Sequence, residues 1–356
     1  MEVPNATGNE TKGLDDKTTM FFGIMCFAII SMVGMIANVV IIVKLMKHKR
    51  KSSEYFILNL SITDLVVCSL CIPLDIYDQF TGTWKYGAFM CKIIWPFQTL
   101  FTLISILTLT AMAIERHRVI MTPFKPRLTR SDLLKVILLI WLIGFCVIAP
   151  YIHHLEYDGT ECIEKWPHKM SGAYYTLSLL IIDYCIPLTI IAYCYGRAGY
   201  KLFVNTREFK TVNSGIMDHM KRLERNKRVI KIFSFAVLVF LICMLPSDIY
   251  WMWRSFGDDS DFAHKKSFET FSYILIYSNS CFNPFIFGAC NFNCFRKKSS
   301  MSSHRKLVQE GSGNANSMSS GSNGHHTTST KGEKKVEHDD VLIDFNNLSK
   351  LRETDI

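Results

Sequence analysis

The chain has 356 residues, 49% of them hydrophobic, with a mean hydropathy of +0.16 and a formal net charge of +9. Its polar residues gather between long apolar runs, which excludes an ordinary soluble core. The basic balance does not imply nucleic-acid binding, because no basic groove interleaved with aromatic residues occurs.

In chain order, residues 1–19 are polar and lack a basic start, an apolar core and a small-residue cleavage site, so they predict an extracellular tail and no removable leader. Asn5-Ala6-Thr7 and Asn9-Glu10-Thr11 are glycosylation sequons, usable if this tail faces the lumen. Seven apolar stretches follow, near 20–44, 55–79, 90–121, 133–152, 172–200, 229–253 and 268–289, the last being the most polar. Each is long enough to cross the roughly 30 Å of bilayer hydrocarbon. They predict an all-α membrane protein, a seven-transmembrane helix bundle over 20–290.

Charge orients the bundle. The segments 44–51, 116–130, 201–231 and 296–306 carry 5, 5, 9 and 5 Lys and Arg residues, whereas the alternate segments carry Lys12, Lys17, Lys85, Lys165, Lys169, Arg254, Lys265 and Lys266. By the positive-inside rule the amino terminus lies outside and the carboxyl terminus inside. Of the twelve cysteines, only Cys91 and Cys162 then fall in the oxidising exterior, and they are expected to pair. A helix from Cys91 to Arg116 rises about 37 Å at about 1.5 Å per residue, so these two residues emerge on opposite sides. Gln98, Ser105 and Arg116, separated by 7, 11 and 18 residues, fall on one face of that helix at about 100° per residue.

After the seventh stretch, Cys290 and Cys294 are palmitoylation candidates beside the inner leaflet. Residues 291–299, with Arg296, Lys297 and Lys298, predict a short juxtamembrane amphipathic helix. Residues 300–356 are rich in Ser, Gly, Asn and Lys and predict a disordered cytoplasmic tail. Its Ser and Thr clusters, among them Ser317, Ser319, Ser320 and Thr327 to Thr330, would bind arrestin once phosphorylated, or the tail is a passive linker.

One landmark stands on each span: Asn38 after Gly34, Asn59-Leu60-Ser61-Ile62-Thr63-Asp64, Cys91 with Glu115-Arg116-His117, Trp141, Pro187 with Tyr195, Phe240 with Pro246, and Asn283-Pro284. In this order the chain resembles the rhodopsin-class G-protein-coupled receptors over residues 20–299. The resemblance implies a plasma-membrane receptor that activates a heterotrimeric G protein and performs no covalent chemistry. It makes Asp64, with Ser105, Asn279, Ser280 and Asn283, the site of an allosteric sodium ion, and implies no other cofactor. A polar cluster without an ion is the other reading of the same residues. Arg116 becomes a latch that holds Glu115 at rest and meets the G protein when active, and Phe124 after Pro123 becomes a contact of that partner. The basic residues Lys221, Arg222, Arg225, Lys227 and Arg228 serve the same partner or attract anionic membrane lipid.

The chain departs from the family pattern in three places. Met244 stands where a Trp is frequent two residues before Pro246, His117 replaces the Tyr after the Arg, and Phe287 replaces the Tyr that follows Asn283-Pro284 by three. Phe287 has no hydroxyl to share a water with Tyr195.

Amine receptors carry an Asp where this chain has Gln98, and opsins a Lys where it has Tyr277. Gln98 and the segment Trp84-Lys85-Tyr86-Gly87 instead resemble neuropeptide receptors. Outer carboxylates, including Asp75, Asp78, Glu156, Asp158, Glu161, Glu164, Asp258, Asp259 and Asp261, favour a basic or amidated peptide by steering, or are merely solvated. Asp183 and Asp248 lie deep enough to require a cationic partner, with Gln98 bonding the peptide amide, or they pair with internal polar groups. A small cationic amine is the alternative ligand. A cation-coupled transporter is more remote, since neither an inverted repeat nor paired broken helices occur, and no hydrolase or kinase motif suggests an enzyme.

Overall fold

The computed structural model describes residues 6–47, 50–81, 83–209, 217–257 and 267–288. Asn5, Cys290, Cys294, the helix expected over 291–299 and the tail 300–356 lie outside the described residues, as does the side chain of Asn9.

Inside hydrocarbon the backbone can bond only to itself, so long apolar runs become helices. Among the described residues, six helices are long and apolar enough to cross a membrane: Thr18–Met46, Ser52–Asp78, Gly87–Met121, Arg130–His154, Met170–Val204 and Leu223–Phe256. A seventh helix, residues 267–288, buries Tyr277, Asn279, Ser280 and Asn283 among the others. We label the helices α1 (Ala6–Met46), α2 (Ser52–Val66), α3 (Ile72–Thr81), α4 (Gly87–Cys91), α5 (Ile94–Met121), α6 (Arg130–His154), α7 (Lys169–Leu179), α8 (Ile186–Phe209), α9 (Met217–Phe256) and α10 (267–288).

Two sequence expectations change here. The tail over 1–19 is helical from Ala6 and runs straight into the first span. Cys91 does not start a continuous helix: it closes the short α4, and α5 begins at Ile94 after a turn.

The third span is the centre of the bundle. In its most apolar stretch 61% is buried, against 22% in the fourth span and 17% in the fifth. The second and fifth spans are each interrupted by a wide π turn, Val67–Cys71 and Leu180–Cys185. Pro73 and Pro187 follow two residues after these turns. A proline ring clashes with the carbonyl four residues earlier, here Ser69 and Asp183, and lacks the N–H to bond it; the widened turn accommodates both defects. Both devices lie toward the end of the bundle that carries the disulfide.

That end carries an antiparallel hairpin, β1 (Leu155–Tyr157) on β2 (Cys162–Glu164), with Tyr157 opposite Cys162. Its turn uses Gly159 at φ +104°, a left-handed conformation that suits glycine. Asp158 Oδ1 accepts from the backbone N–H groups of Thr160 and Glu161, both at 2.8 Å. Cys162 is bonded to Cys91, as expected, and both pack with Trp84, Ile94, Tyr151 and Leu155. At the opposite end, Thr129 and Asp132 cap α6 reciprocally: the Thr129 hydroxyl accepts from Asp132 N–H, and the Asp132 carboxylate accepts from Thr129 N–H.

Candidate functional site

Between the spans, a cavity of about 1000 Å3 opens at the hairpin end and reaches down to Asp64. Its lining includes eight carboxylates, Asp64, Asp75, Asp78, Glu161, Glu164, Asp183, Asp248 and Glu269, but Arg254 is the one cation among the described residues that line it. The Arg254 guanidinium lies 5.3 Å from the Trp251 ring. The lining therefore has a large excess of acidic over basic side chains, in a partly desolvated space where charges are screened less than in bulk water.

The expected ligand residues divide into two groups. Gln98, Tyr277 and Asp75 bond to one another across the third, seventh and second spans. Gln98 Nε2 donates to the Tyr277 hydroxyl at 2.9 Å, and that hydroxyl donates to Asp75 in a short contact. Asp75, placed on the outer surface by sequence reasoning, is in fact buried, at 9% exposure. Gln98, expected to bond a ligand amide, already spends a donor inside the protein. Asp183 and Asp248 form the second group. They face the same cavity from the fifth and sixth spans and repel one another, and Asp183 Oδ1 is buried with no hydrogen-bond partner.

At the cavity's deep end, Asn283 Nδ2 donates to Asp64 at 2.9 Å and Ser280 also bonds this carboxylate. Ser105 and Asn279 are buried beside the cavity, and Asn279 Oδ1 is buried without a partner. One carboxylate with hydroxyl and amide oxygens is a donor set that suits a hard cation. Nearby, Trp141 Nε1 donates to Asn59 Oδ1 at 3.0 Å, and Asn59 Nδ2 donates to Thr108 at 3.0 Å, tying the fourth, second and third spans together.

The other end of the third span holds Arg116, whose Nε lies 2.9 Å from Glu115 Oε2 as an ion pair, although the N–H is not aligned for a hydrogen bond. Its guanidinium also sits 5.8 Å from the Phe233 ring, and Phe233 lies 5.7 Å from Phe287. Phe240, Met244, Phe233 and Phe287 belong to one buried cluster, with Tyr195 packed against it. The Tyr195 hydroxyl and His117 Nε2 are both buried without hydrogen-bond partners. Pro246 lies inside the continuous helix α9, Pro284 is buried, and Phe124 is 84% exposed beyond the end of α5. The side chains of Lys221 and Arg222 lie outside the described residues, as do Asp258, Asp259 and Asp261.

Known proteins agree with this architecture. Residues 12–287 match the family model for the seven-transmembrane receptors of the rhodopsin family. The chain belongs to that family. It is 30% identical over 289 residues to galanin receptor type 1 of Mus musculus, covering 78% of this chain and 80% of that receptor. It is also 28% identical over 295 residues to neuropeptide FF receptor 2 of the same species, covering 76% and 70%. Neuropeptide Y receptor type 6 of Mus musculus is 26% identical over 367 residues, covering 93% and 96%. The receptor is thus a multi-pass membrane protein of a receptor family.

Sequence reasoning missed Glu269, Tyr250 and Tyr273, which surround Arg254 and the cavity mouth. A signal was present: Glu269, Tyr273 and Tyr277 are spaced four residues apart and form one ridge of a helix. The polar character of the seventh span hid it, because hydropathy reports insertion and not face.

Proposed function

We propose that this chain is a plasma-membrane receptor for a basic or amidated extracellular neuropeptide, and that the occupied cavity favours a helix arrangement that activates a heterotrimeric G protein. The observation that carries this reading is the cavity whose described lining has eight carboxylates against the single cation Arg254. The names of the similar receptors, for galanin, neuropeptide FF and neuropeptide Y, support a peptide over an amine.

The charge asymmetry puts the amino terminus and the hairpin outside and Arg116 in the cytoplasm. A disulfide at the hairpin end supports the same orientation, because such bonds persist in oxidising compartments. For an allosteric sodium ion, Asp64, Ser105, Asn279, Ser280 and Asn283 supply only oxygen atoms to a hard cation, and the unpartnered Asn279 Oδ1 supports its presence. Such an ion would supply positive charge that neutralises Asp64. The receptor acts by conformational change and not by covalent chemistry, with arrestin and membrane lipid as cytoplasmic partners.

The test is G-protein activation in cells expressing the chain, challenged with amidated neuropeptides, biogenic amines and buffer. A basic peptide should raise nucleotide exchange, and Asp64→Asn should remove any sodium dependence of its affinity. A response to amines alone would replace the peptide reading, and ligand-driven uptake without nucleotide exchange would replace the receptor reading.

A further inference from the structure

The cavity holds two anionic centres of different kinds, and only one of them is free. At Asp75 the negative charge is met by the Tyr277 hydroxyl, which Gln98 orients in turn. At Asp183 and Asp248 nothing equivalent occurs among the described residues. Asp183 Oδ1 is shielded from solvent and unpartnered, Asp248 makes no ion pair, and the Arg254 guanidinium lies over the Trp251 ring.

The placement is built into the backbone. Asp183 belongs to the π turn Leu180–Cys185 that precedes Pro187, and Asp248 follows Pro246 in α9 by two residues. The backbone therefore sets two acidic side chains on neighbouring spans facing one space, at a cost that a bound cation offsets. A guanidinium suits this pair better than an ammonium. It is planar, offers five N–H donors in a fixed fork able to meet two carboxylates at once, and is more weakly hydrated, so it enters a partly desolvated site more readily.

Building on the reading of the cavity as a peptide site, we infer that Asp183 and Asp248 form a guanidinium subsite, filled by one arginine side chain of the ligand that bridges both carboxylates. The ligand is selected as arginine-bearing and not merely as cationic. Asp75 serves as an interspan contact and takes no part in this recognition.

Direct binding tests this without any signalling partner, so its outcome is separable from that of the G-protein screen. The full-length chain in lipid nanodiscs is titrated with N-acetyl-argininamide, N-acetyl-lysinamide and N-acetyl-citrullinamide, read by saturation-transfer NMR. The arginine probe should bind at least about tenfold more tightly than the lysine probe, and the uncharged citrulline probe should not saturate. Asp183→Asn and Asp248→Asn should each weaken the arginine probe by about tenfold or more, and the double variant little further, because one occupant serves both. Each single variant should also raise the melting temperature of the ligand-free protein, since it removes a like-charge repulsion while preserving shape; a merely structural role for either acid gives the opposite sign. Equal binding of arginine and lysine probes, saturable citrulline binding, or arginine binding that survives both variants would overturn the assignment.

Discussion

Replacing Phe287 by Tyr tests how the receptor holds its resting arrangement. Phe287 is 1% exposed, lies 5.7 Å from the Phe233 ring, and through that ring adjoins the Arg116 guanidinium at 5.8 Å. A phenolic oxygen added here enters an apolar cluster with no partner, at a cost of roughly 1–3 kcal/mol. The nearest relief is the Tyr195 hydroxyl, itself buried and unpartnered at the edge of the same cluster. An arrangement in which the two hydroxyls meet, directly or through a water, satisfies both; the resting one satisfies neither. Shifting the balance by about 1–3 kcal/mol changes the population ratio about 5- to 150-fold. Phe287→Tyr should therefore raise ligand-free GTPγS binding in membranes at matched receptor number. The gain should vanish in the Tyr195→Phe, Phe287→Tyr double variant and be absent in Phe287→Leu. Basal exchange that stays within twofold of the parent, or a gain that persists without the Tyr195 hydroxyl, would refute the reasoning.

Three further outcomes follow from particular contacts. Tyr277→Phe removes the hydroxyl that links Gln98 to the buried Asp75, so thermal stability in detergent should fall by about 1–3 kcal/mol; adding Asp75→Asn should recover part of the loss, and strictly additive losses would mean the pair is not coupled. An alanine Cβ at Gly34 would meet Cys68 Sγ at 2.4 Å and Cys68 Cβ at 3.5 Å, so Gly34→Ala should lower the melting temperature and Cys68→Ala restore most of it, a rescue that an unrelated cause could not give. In the hairpin turn, backbone N–H groups of Glu161 and Thr160 hold the Asp158 carboxyl below its ordinary value. Its folded value lies below its unfolded one, so the stabilisation is full above the ordinary carboxylate range and is lost as pH falls through the lowered value. The protection of the hairpin amides, relative to their intrinsic exchange rates, should fall on acidification below about pH 4 and should not change with pH there in Asp158→Asn.

The sequence showed what depends on one span at a time and hid what depends on two. Run length and loop charge are properties of each segment, so the spans near 20–44 through 229–253 were legible. The pairing of Cys91 with Cys162 was legible because topology left no competing thiol outside. Gln98, Tyr277 and Asp75 were each singled out, yet their mutual bonds depend on how the second, third and seventh spans are rotated against one another. That π turns precede Pro73 and Pro187, and that Asp183 belongs to one of them, was not read from the sequence. Helix in the tail from Ala6 was missed because its polar residues carry no membrane signal, while nothing in them forbids continuing α1.

The chemistry at the two ends of the third span is joined by packing. Met244 lines the floor of the cavity and also belongs to the buried cluster that contains Phe240, Phe233 and Phe287, on whose edge Arg116 rests. A ligand that displaces Met244 therefore acts on Arg116 through apolar contacts, which transmit force only when they cannot yield. An unbranched thioether yields more readily than a rigid indole ring, because its torsions absorb part of the displacement. The two departures from the family pattern thus bear on one pathway from opposite ends. Met244 softens the input from the cavity, and Phe287 leaves the Tyr195 hydroxyl without the partner that would hold the alternative arrangement. On the proposed reading of Arg116 as a latch, both should favour the arrangement in which Arg116 stays beside Glu115, so that a ligand would supply most of the free energy separating the two states, through contacts that differ between them.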